Sequence, residues 1–362
     1  MKVKSVKSTY KPYTIAVTIL FLITTLTSTA LATRYAGEFL EIGVGGRALG
    51  MGGAYCALAE DPSSFYWNPA GLARVPSISI WGMYNNQFGD FGDPLAQHSV
   101  MGAVFPITGA ALAVHWVRLA VDQIPIFPDY SEDAGYSLEE RKQLIDGVPQ
   151  GYFDDAEDAL FISFAKMNKF NLDLGWAFFV LPLEIPYGIN LKMIRQKLYT
   201  SEAFGIGADA GLQLRFSLAD MFSKPFLGDF ALGIAYQDFT KTGIDWGEGN
   251  TDVITQNLRI GLAYHQEVPA IKSEFNIERV SNTRYSYDGR FGMEYIWDKK
   301  LSFRFGFNRL DWGEFVSGLW DDIDFGTWNA GMGIKYWHIT CDYAFMRADL
   351  GNAHRISLIY QF

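Results

Sequence analysis

The chain is poor in cysteine, in long apolar runs and in positive charge. Cys56 and Cys341 are its only cysteines among 362 residues, and a disulfide between them is allowed only in an oxidising compartment. Beyond the N-terminus no run of 18 apolar residues occurs, which excludes a transmembrane helix there. Lys and Arg number 30 against 40 Asp and Glu, and the net charge of −10 argues against nucleic acid as a partner.

Catalytic motifs are missing as well. No serine lies in a G-x-S-x-G sequence, and no histidine pair has the H-E-x-x-H spacing of a zinc enzyme. The five histidines are His98, His115, His265, His338 and His354. We therefore expect no enzyme activity, no cofactor and no metal site. For the acidic residues Glu274 and Glu278 we expect ion pairs with Lys272, Arg259 or Arg290 rather than acid–base chemistry.

The first 32 residues are typical of an export signal. Four lysines (Lys2, Lys4, Lys7 and Lys11) precede an apolar stretch at 15–23 and the small-x-small sequence Ala30-Leu31-Ala32. The apolar stretch is shorter than the ~20 residues that a spanning helix needs, and the threonine-rich stretch 24–29 interrupts it, which disfavours a membrane anchor. We expect cleavage after Ala32, so that Thr33 begins the mature chain; losing four lysines changes the charge from −10 to −14.

Alternation of apolar and polar residues dominates the rest of the chain. In 301–308, Leu301, Phe303, Phe305 and Phe307 alternate with Ser302, Arg304, Gly306 and Asn308. Successive side chains of a strand point to opposite faces, so each such strand has one apolar and one polar face. A tilted strand of ~9–11 residues is long enough to span the bilayer. With 16% aromatics and 36 glycines, the pattern favours a membrane barrel over a soluble sandwich.

Fifteen candidate strands can be marked, of which fourteen are expected in the wall because bacterial barrels have an even number. The weakest is 170–181, which is continuously apolar near its end and is followed by Pro182. The segment 167–186 is then an insertion at the periplasmic rim or a strand extension folded inward. The fold predicted is an all-β, membrane-spanning, antiparallel up-and-down barrel of fourteen strands. The candidates are 76–85, 97–105, 109–119, 158–166, 170–181, 187–198, 204–216, 228–239, 254–265, 270–280, 287–297, 300–309, 326–336, 338–346 and 353–362.

One stretch, 43–73, does not alternate. Its six glycines between Gly43 and Gly53 permit positive φ and close backbone approach. Asp61-Pro62 predicts a helix start, with Asp61 as its N-cap, and 68–71 predicts a turn. The G-x-G-x-x-A sequence at 43–48 would indicate dinucleotide binding only within a βαβ unit, and no such alternation follows.

We expect 33–75 to plug the lumen of a barrel formed by 76–362. A bilayer tolerates irregular backbone only where protein or lumen water satisfies it, and the lumen offers both. Arg47 is then expected to pair with an acidic lumen residue such as Asp209 or Glu294. The candidate plug and lumen residues are Gly45, Gly46, Arg47, Gly50, Met51, Gly52, Gly53, Asp61, Asn68, Pro69, Ala70 and Gly71.

The plug stretch resembles a known family. Residues 47–54 and 66–73, with Asp61 between them, resemble the N-terminal signature of the FadL-type outer-membrane barrels, above all the PorV/PorQ branch. A second match covers Asp342–Phe345, Leu350-Gly351 and His354–Phe362, so the resemblance brackets the mature chain. Two features depart from the family, Cys56 and the insertion at 167–186.

This resemblance implies a fourteen-stranded, plugged barrel in the outer membrane of a Gram-negative-type bacterium. It implies passage of a hydrophobic small ligand past the plug, in contact with outer-membrane lipid. The alternative is a PorV-type component of protein secretion or surface attachment, which binds secreted protein cargo through its loops. Sequence does not separate the two, since a fold does not fix its function.

The last strand predicts how the barrel is assembled. Ile356, Leu358, Tyr360 and Phe362 alternate with polar residues and end the chain on an aromatic residue. This resembles the signal that the barrel-assembly machinery reads. On strand 338–346 the same alternation turns Cys341 toward lipid, so we expect it not to meet Cys56.

The longest loop is expected at 120–157, on the extracellular side, and it is strongly acidic. The capping box at 137–140 predicts a short helix over 138–146. The carboxylates of Asp154, Asp155, Glu157 and Asp158 are a candidate Ca²⁺ site. They lack the spacing of an EF-hand, and the alternative interpretation is a solvated acidic loop.

Overall fold

The computed structural model describes residues 37–362 apart from 91–92, 128–134, 145–147, 174, 176–179, 225, 248, 285–288, 311–326 and 348–351. The signal peptide predicted at 1–32 lies outside the described residues. Fourteen antiparallel strands form the wall of a closed barrel. We number them β1 (Ser79–Asp90), β2 (Asp93–Ile107), β3 (Ala110–Ile126), β4 (Gly151–Lys166), β5 (Tyr187–Leu198), β6 (Ser201–Ser217), β7 (Asp229–Gln237), β8 (Asn257–Val268), β9 (Ser273–Asn282), β10 (Gly289–Trp297), β11 (Leu301–Leu310), β12 (Thr327–Tyr336), β13 (Ile339–Met346) and β14 (Ala353–Gln361).

The barrel closes where its first and last strands pair. β1 runs antiparallel to β14, with Ser79 opposite Gln361 and Asn86 opposite His354, and β1 also pairs with β2. Every other wall strand pairs with its neighbours in chain order. Closure satisfies the backbone groups of both edge strands, as a hydrocarbon environment requires. The predicted fold class is therefore confirmed.

Side-chain exposure follows the alternation predicted from the sequence. On β11, Phe303 and Phe305 face outward, whereas Arg304 between them is buried inside. On β6, Phe204 and Ile206 are more than half exposed while Asp209 is buried. The outside of the barrel is thus an apolar surface and the inside is packed, the sense expected of a barrel in lipid.

The two ends of the barrel differ in their connections. The end that we call the turn end carries the short turns 108–109, 269–272, 298–300 and 337–338 together with Phe362. The opposite end, which we call the loop end, carries the connections 127–150 and 238–256. Near the loop end, the short strands Gly243–Asp245 and Thr251–Val253 form a hairpin against β6.

The excluded candidate strand, 170–181, is not part of the wall. Lys169–Asp173 and Val180–Glu184 form a separate hairpin at the turn end, between β4 and β5. Glu184 at the end of the hairpin pairs with Arg215 of β6. The side chains of Lys169–Asp173 are all exposed, so the hairpin extends away from the barrel rather than folding inward.

The long acidic loop is shorter than predicted. β3 continues to Ile126 and β4 begins at Gly151, so the connection spans 127–150 rather than 120–157. A helix at Leu138–Leu144 lies within it, and the predicted capping box is present because Ser137 and Glu140 bond each other reciprocally. The carboxylates considered for Ca²⁺ lie on β4, where Asp154 and Asp158 face one side and Asp155 and Glu157 the other, so they cannot converge on one ion.

The remaining helices are short. The N-terminal segment contains 3-10 turns at Glu38–Glu41 and Pro69–Arg74 and α-helices at Gly46–Gly50 and Ser64–Trp67. Two more short elements, Leu218–Phe222 and Pro269–Ile271, lie in turn-end connections. None of the helices in the described ranges is long and apolar enough to cross a membrane.

Candidate functional site

The N-terminal segment 37–75, which we call the plug, lies inside the barrel. Its side chains are almost all buried, and it contacts the inner faces of strands from β3 round to β14. A chain segment, rather than wall side chains, therefore fills the lumen. A fourteen-stranded wall leaves an interior too wide for its own side chains to fill, which explains why a separate segment is needed.

Glycines let the plug backbone touch the wall. Gly52 has φ of +67°, and a Cβ there would lie 2.7 Å from the backbone of Phe307. A Cβ on Gly46 would lie 2.9 Å from the backbone oxygen of Asp342. Any larger residue at these positions would push the plug off the wall. Of the other candidates, Gly45, Gly50, Met51 and Gly53 lie in the same turn and helix, and Met51 is fully buried.

Arg47 anchors the plug to β10. Its Nη2 lies 2.7 Å from Oε2 of Glu294 and its Nε 3.0 Å from Oε1, which makes a two-pronged ion pair. Arg304 donates to the same carboxylate at 2.7 Å and to Asp342 at 2.7 Å. The Arg47–Glu294 pairing was one of two predicted; the other predicted partner, Asp209, instead pairs with Lys192 at 2.8 Å.

Glu60 extends this cluster within the plug. Its carboxylate lies 3.1 Å from Arg47 and 3.4 Å from Arg215. Burial raises the pKa of Glu60, but the facing charges of Arg47 and Arg215 outweigh it and hold that pKa below its ordinary value. Glu60 therefore contributes to the anchor in its ionised form.

A carboxylate on the wall receives three amides of the plug. Glu278 accepts hydrogen bonds from the backbone N–H groups of Cys56, Ala57 and Leu58 at 2.7, 2.6 and 3.1 Å. The predicted ion pairing of Glu278 is thus wrong, and Glu274 likewise lies against Lys299, at 3.6 Å, rather than the predicted cations. Backbone amides leave no mark in a sequence, so no signal could have revealed this contact.

The Asn68 turn is held by amide groups. Asn68 Oδ1 accepts from Ala70 N at 3.2 Å, and its Nδ2 donates to the carbonyls of Cys56 and Leu212. Gln213 donates to the carbonyls of Cys56 and Ala59. Pro69, Ala70 and Gly71 form the 3-10 turn that follows. Asn68 therefore satisfies backbone groups of the plug and of β6.

Asp61 differs from its predicted role. The helix begins at Ser64, three residues later, and its N-cap position is Ser63. Asp61 instead accepts from the Ser63 backbone N–H at 2.8 Å and from Tyr55 Oη at 2.9 Å. It fixes the turn before the helix, because an Asp side chain readily bonds the backbone two residues on.

The inner wall has an apolar half. On β1–β4 the lumen-facing residues are mainly aliphatic or aromatic, and Phe65 of the plug packs among them. Its ring stacks on His115 at 4.0 Å between centroids and meets Phe161 edge-on at 4.9 Å. The buried residues on this half are Trp81, Met83, Ala96, Val100, Val104, Ala111, Ala113, Val117, Ala159, Phe161 and Ala165, with the polar residues Ser79, Asn85, His98, His115 and Ser163 among them.

The facing half of the inner wall is polar. It supplies the carboxylates and amides that hold the plug, together with Arg259, whose guanidinium lies 5.1 Å from the rings of both Tyr66 and Trp67. Its buried polar residues include Asn257, Arg259, Asn276, Glu278, Glu294, Arg304, Asn329, Asp342, Arg355 and Ser357. A barrel lumen is ordinarily polar throughout, so the apolar half is the unusual one.

Cavities of very different size lie on the two sides of the plug. A cavity of about 400 Å³ at the turn end is lined by charged residues, among them Arg47, Glu60, Glu274 and Glu294. At the other side, a void of about 10 Å³ lies beside Lys192 and Asp238. There Arg284 bonds both Asp238 and Glu41 of the plug. The plug is therefore anchored by ion pairs on both sides.

The chain was also compared with known proteins. No protein-family model matches it, and no curated protein matches its sequence. Among solved structures, the CymD monoaromatic hydrocarbon channel is similar at 11% identity and a TM-score of 0.46, over 89% of this chain and 98% of that one. The toluene transporter TbuX of Ralstonia pickettii gives 12% and 0.44, over 88% and 98%. A FadL homologue of Pseudomonas aeruginosa gives 10% and 0.44, over 88% and 98%.

The remaining candidate residues lie on the outer surface. Ile356, Leu358, Tyr360 and Phe362 are each at least 40% exposed, on the outward face of the strand that closes the barrel. Cys341 is exposed and Cys56 is buried in the plug, and both are free thiols. The expected separation of the two cysteines is confirmed.

Proposed function

We propose that the chain is an outer-membrane barrel that passes hydrophobic small molecules along its lumen when the plug moves. The observation that carries the proposal is the apolar inner face of β1–β4. A water-filled pore gains nothing from such a face, because exposing it to water costs ~25 cal/mol per Å². A passenger that is itself apolar would cover that face in place of Phe65.

The division of the inner wall supports the same route. The polar half holds the plug through directional contacts such as Arg47–Glu294 and the Glu278 amide contacts. The apolar half contacts the plug mainly through non-directional packing around Phe65, with one weak hydrogen bond from the Gly45 N–H to Met83 Sδ at 3.1 Å. Packing contacts can be exchanged for a ligand without stranding a charge or an amide. The passage therefore lies between the plug and β1–β4.

The proposed export and location are based on the N-terminal sequence and on the apolar outer face of the barrel. The signal-like sequence at 1–32 would direct export, and the apolar outer face would contact outer-membrane lipid. The terminal strand ending at Phe362 would be read by the barrel-assembly machinery. A PorV-type role in secretion stays a prediction, which co-purification of a protein cargo would favour.

Uptake of N-phenyl-1-naphthylamine tests the proposal. This uncharged dye fluoresces on entering a membrane interior and is largely excluded by an intact outer membrane. Cells that express the barrel should take up the dye faster than cells carrying the empty vector. Val100→Asp places a charge on the apolar half and should lower the rate at least tenfold, whereas Val100→Ala keeps the face apolar and should not.

Heat-modifiability on gels shows which variants hold a folded barrel. Val117→Asp, on the neighbouring strand, serves in place of Val100→Asp if that variant does not fold. Equal dye entry in the Asp and Ala variants, or no gain over the empty vector, would refute passage along β1–β4.

A further inference from the structure

A group of metal-ligating side chains lies at the turn end, apart from the plug anchors. His265 and Glu267 lie at the end of β8, and Glu274 lies at the start of β9. One ligand atom from each of the three comes within 4.8 Å of the others. Glu267 and Glu274 also line the cavity at this end. The site is thus reachable from water.

Two of these ligands are like charges placed face to face. Glu267 pairs directly with Glu274 across the two antiparallel strands. Like charges in directly opposed positions destabilise a sheet. Lys299 lies 3.6 Å from Glu274, but its side chain is 78% exposed, so it offsets the repulsion only weakly. A cation held between the two carboxylates would remove the repulsion.

His265 is held with one ring nitrogen available to a metal. Its Nδ1 lies 2.7 Å from Oδ1 of Asn276. The Asn276 amide is fixed in that orientation because its Nδ2 donates to Glu294 at 2.9 Å. Since an amide oxygen only accepts, Nδ1 is the nitrogen that donates to Asn276, and in the neutral ring the lone pair is on Nε2. Nε2 faces Glu267, at 3.9 Å from Oε1.

This arrangement is that of a metal ligand with its supporting partner. A ligating imidazole ordinarily donates its other N–H to an oxygen that fixes the ring. We propose that His265, Glu267 and Glu274 bind a divalent transition-metal cation, with one nitrogen and two carboxylate ligands and water completing the shell. Zn²⁺ takes this ligand set at ~2.0–2.2 Å, which needs the three atoms to close by about 1 Å. The proposal does not depend on the transport proposal.

Zn²⁺ titration of the purified barrel, first stripped with EDTA, tests the site. Calorimetry should show one Zn²⁺ per chain. His265→Ala and Glu274→Gln should each weaken binding at least tenfold, because each removes a ligand. His338→Ala is the matched control, since His338 lies in another turn at the same end and should leave binding unchanged.

A parallel titration with Ca²⁺ separates a metal site from acidic attraction. Ca²⁺ prefers oxygen ligands and should bind weakly, without dependence on His265. The Glu267 side chain is more than half exposed, so Glu267→Gln removes one carboxylate ligand and leaves the packing unchanged. The proposal is overturned if wild type binds no Zn²⁺, or if His265→Ala binds it as tightly as wild type.

Discussion

Arg47→Ala is the sharpest test of the plug. The substitution removes both prongs of the contact with Glu294 and the contact with Glu60. It leaves the wall strands and their pairing untouched. We expect the plug to loosen while the barrel stays folded.

The structure sets the size of the effect. Removing one partner of a buried ion pair costs ~3–5 kcal/mol, because the other charge is left without its partner. Glu294 keeps Arg304 and Asn276 as donors, so the cost falls at the lower end, about 3 kcal/mol. A change of about 3 kcal/mol shifts the ratio of undocked to docked plug by about 150-fold.

Single-channel conductance in planar bilayers measures this shift. Wild type should stay closed, Arg47→Ala should open in brief events, and deletion of 38–73 should conduct continuously. Arg195→Ala is the matched control, because Arg195 forms an exposed pair with Glu202 away from the plug. If the deletion conducts no better than wild type, the segment does not occlude the lumen. If Arg47→Ala stays closed while the deletion conducts, the ion pair does not hold the plug.

Three further outcomes follow. Glu278→Ala should leave buried amides at 56–58 without an acceptor, at ~1–3 kcal/mol each, and hydrogen exchange there should speed up while β9 keeps its protection. Deleting Phe362 should greatly lower the yield of heat-modifiable barrel, and Phe362→Tyr should retain it. The pKa of Glu60 is lowered, so its ionised form stabilises the docked plug above the ordinary carboxyl pKa, and this stabilisation is lost as pH falls through the lowered value. Protease cleavage of the plug should therefore rise on acidification in wild type, and less in Glu60→Gln.

The wall was predictable because it repeats. In 301–308 and 204–215 every second residue is apolar, which predicts the side chains that meet lipid. Closure of an antiparallel barrel in addition requires an even number of strands. Proline and the loss of alternation were enough to exclude 170–181. The strand ends were less predictable: β3 continues into the expected loop as far as Ile126, since backbone pairing can continue beyond the bilayer where alternation no longer matters.

The plug contacts were predictable only where they join charges. A lone arginine in a glycine-rich segment must meet an acid inside a barrel, so Glu294 could be named for Arg47. The amide contacts of Glu278 and the Asn276 link to His265 depend on backbone position and on the register between β8 and β9. Residue types alone predict neither the backbone position nor the register, and for this reason the ion pair predicted for Glu278 is wrong.

The two halves of the inner wall explain how one plug can be both held and movable. If the whole wall were polar, freeing the plug would strand several amides and charges at once. If it were apolar throughout, nothing would fix the register of the plug glycines against strands such as β11 and β12. With directional contacts on β9–β11 and packing on β1–β4, the plug can lose one side while the other stays in place. The predicted opening is therefore a tilt of the plug away from Phe161 and His115. In the double variant Phe65→Cys, Phe161→Cys, a crosslink between the two cysteines should block dye entry, whereas the same variant without the crosslink should pass the dye.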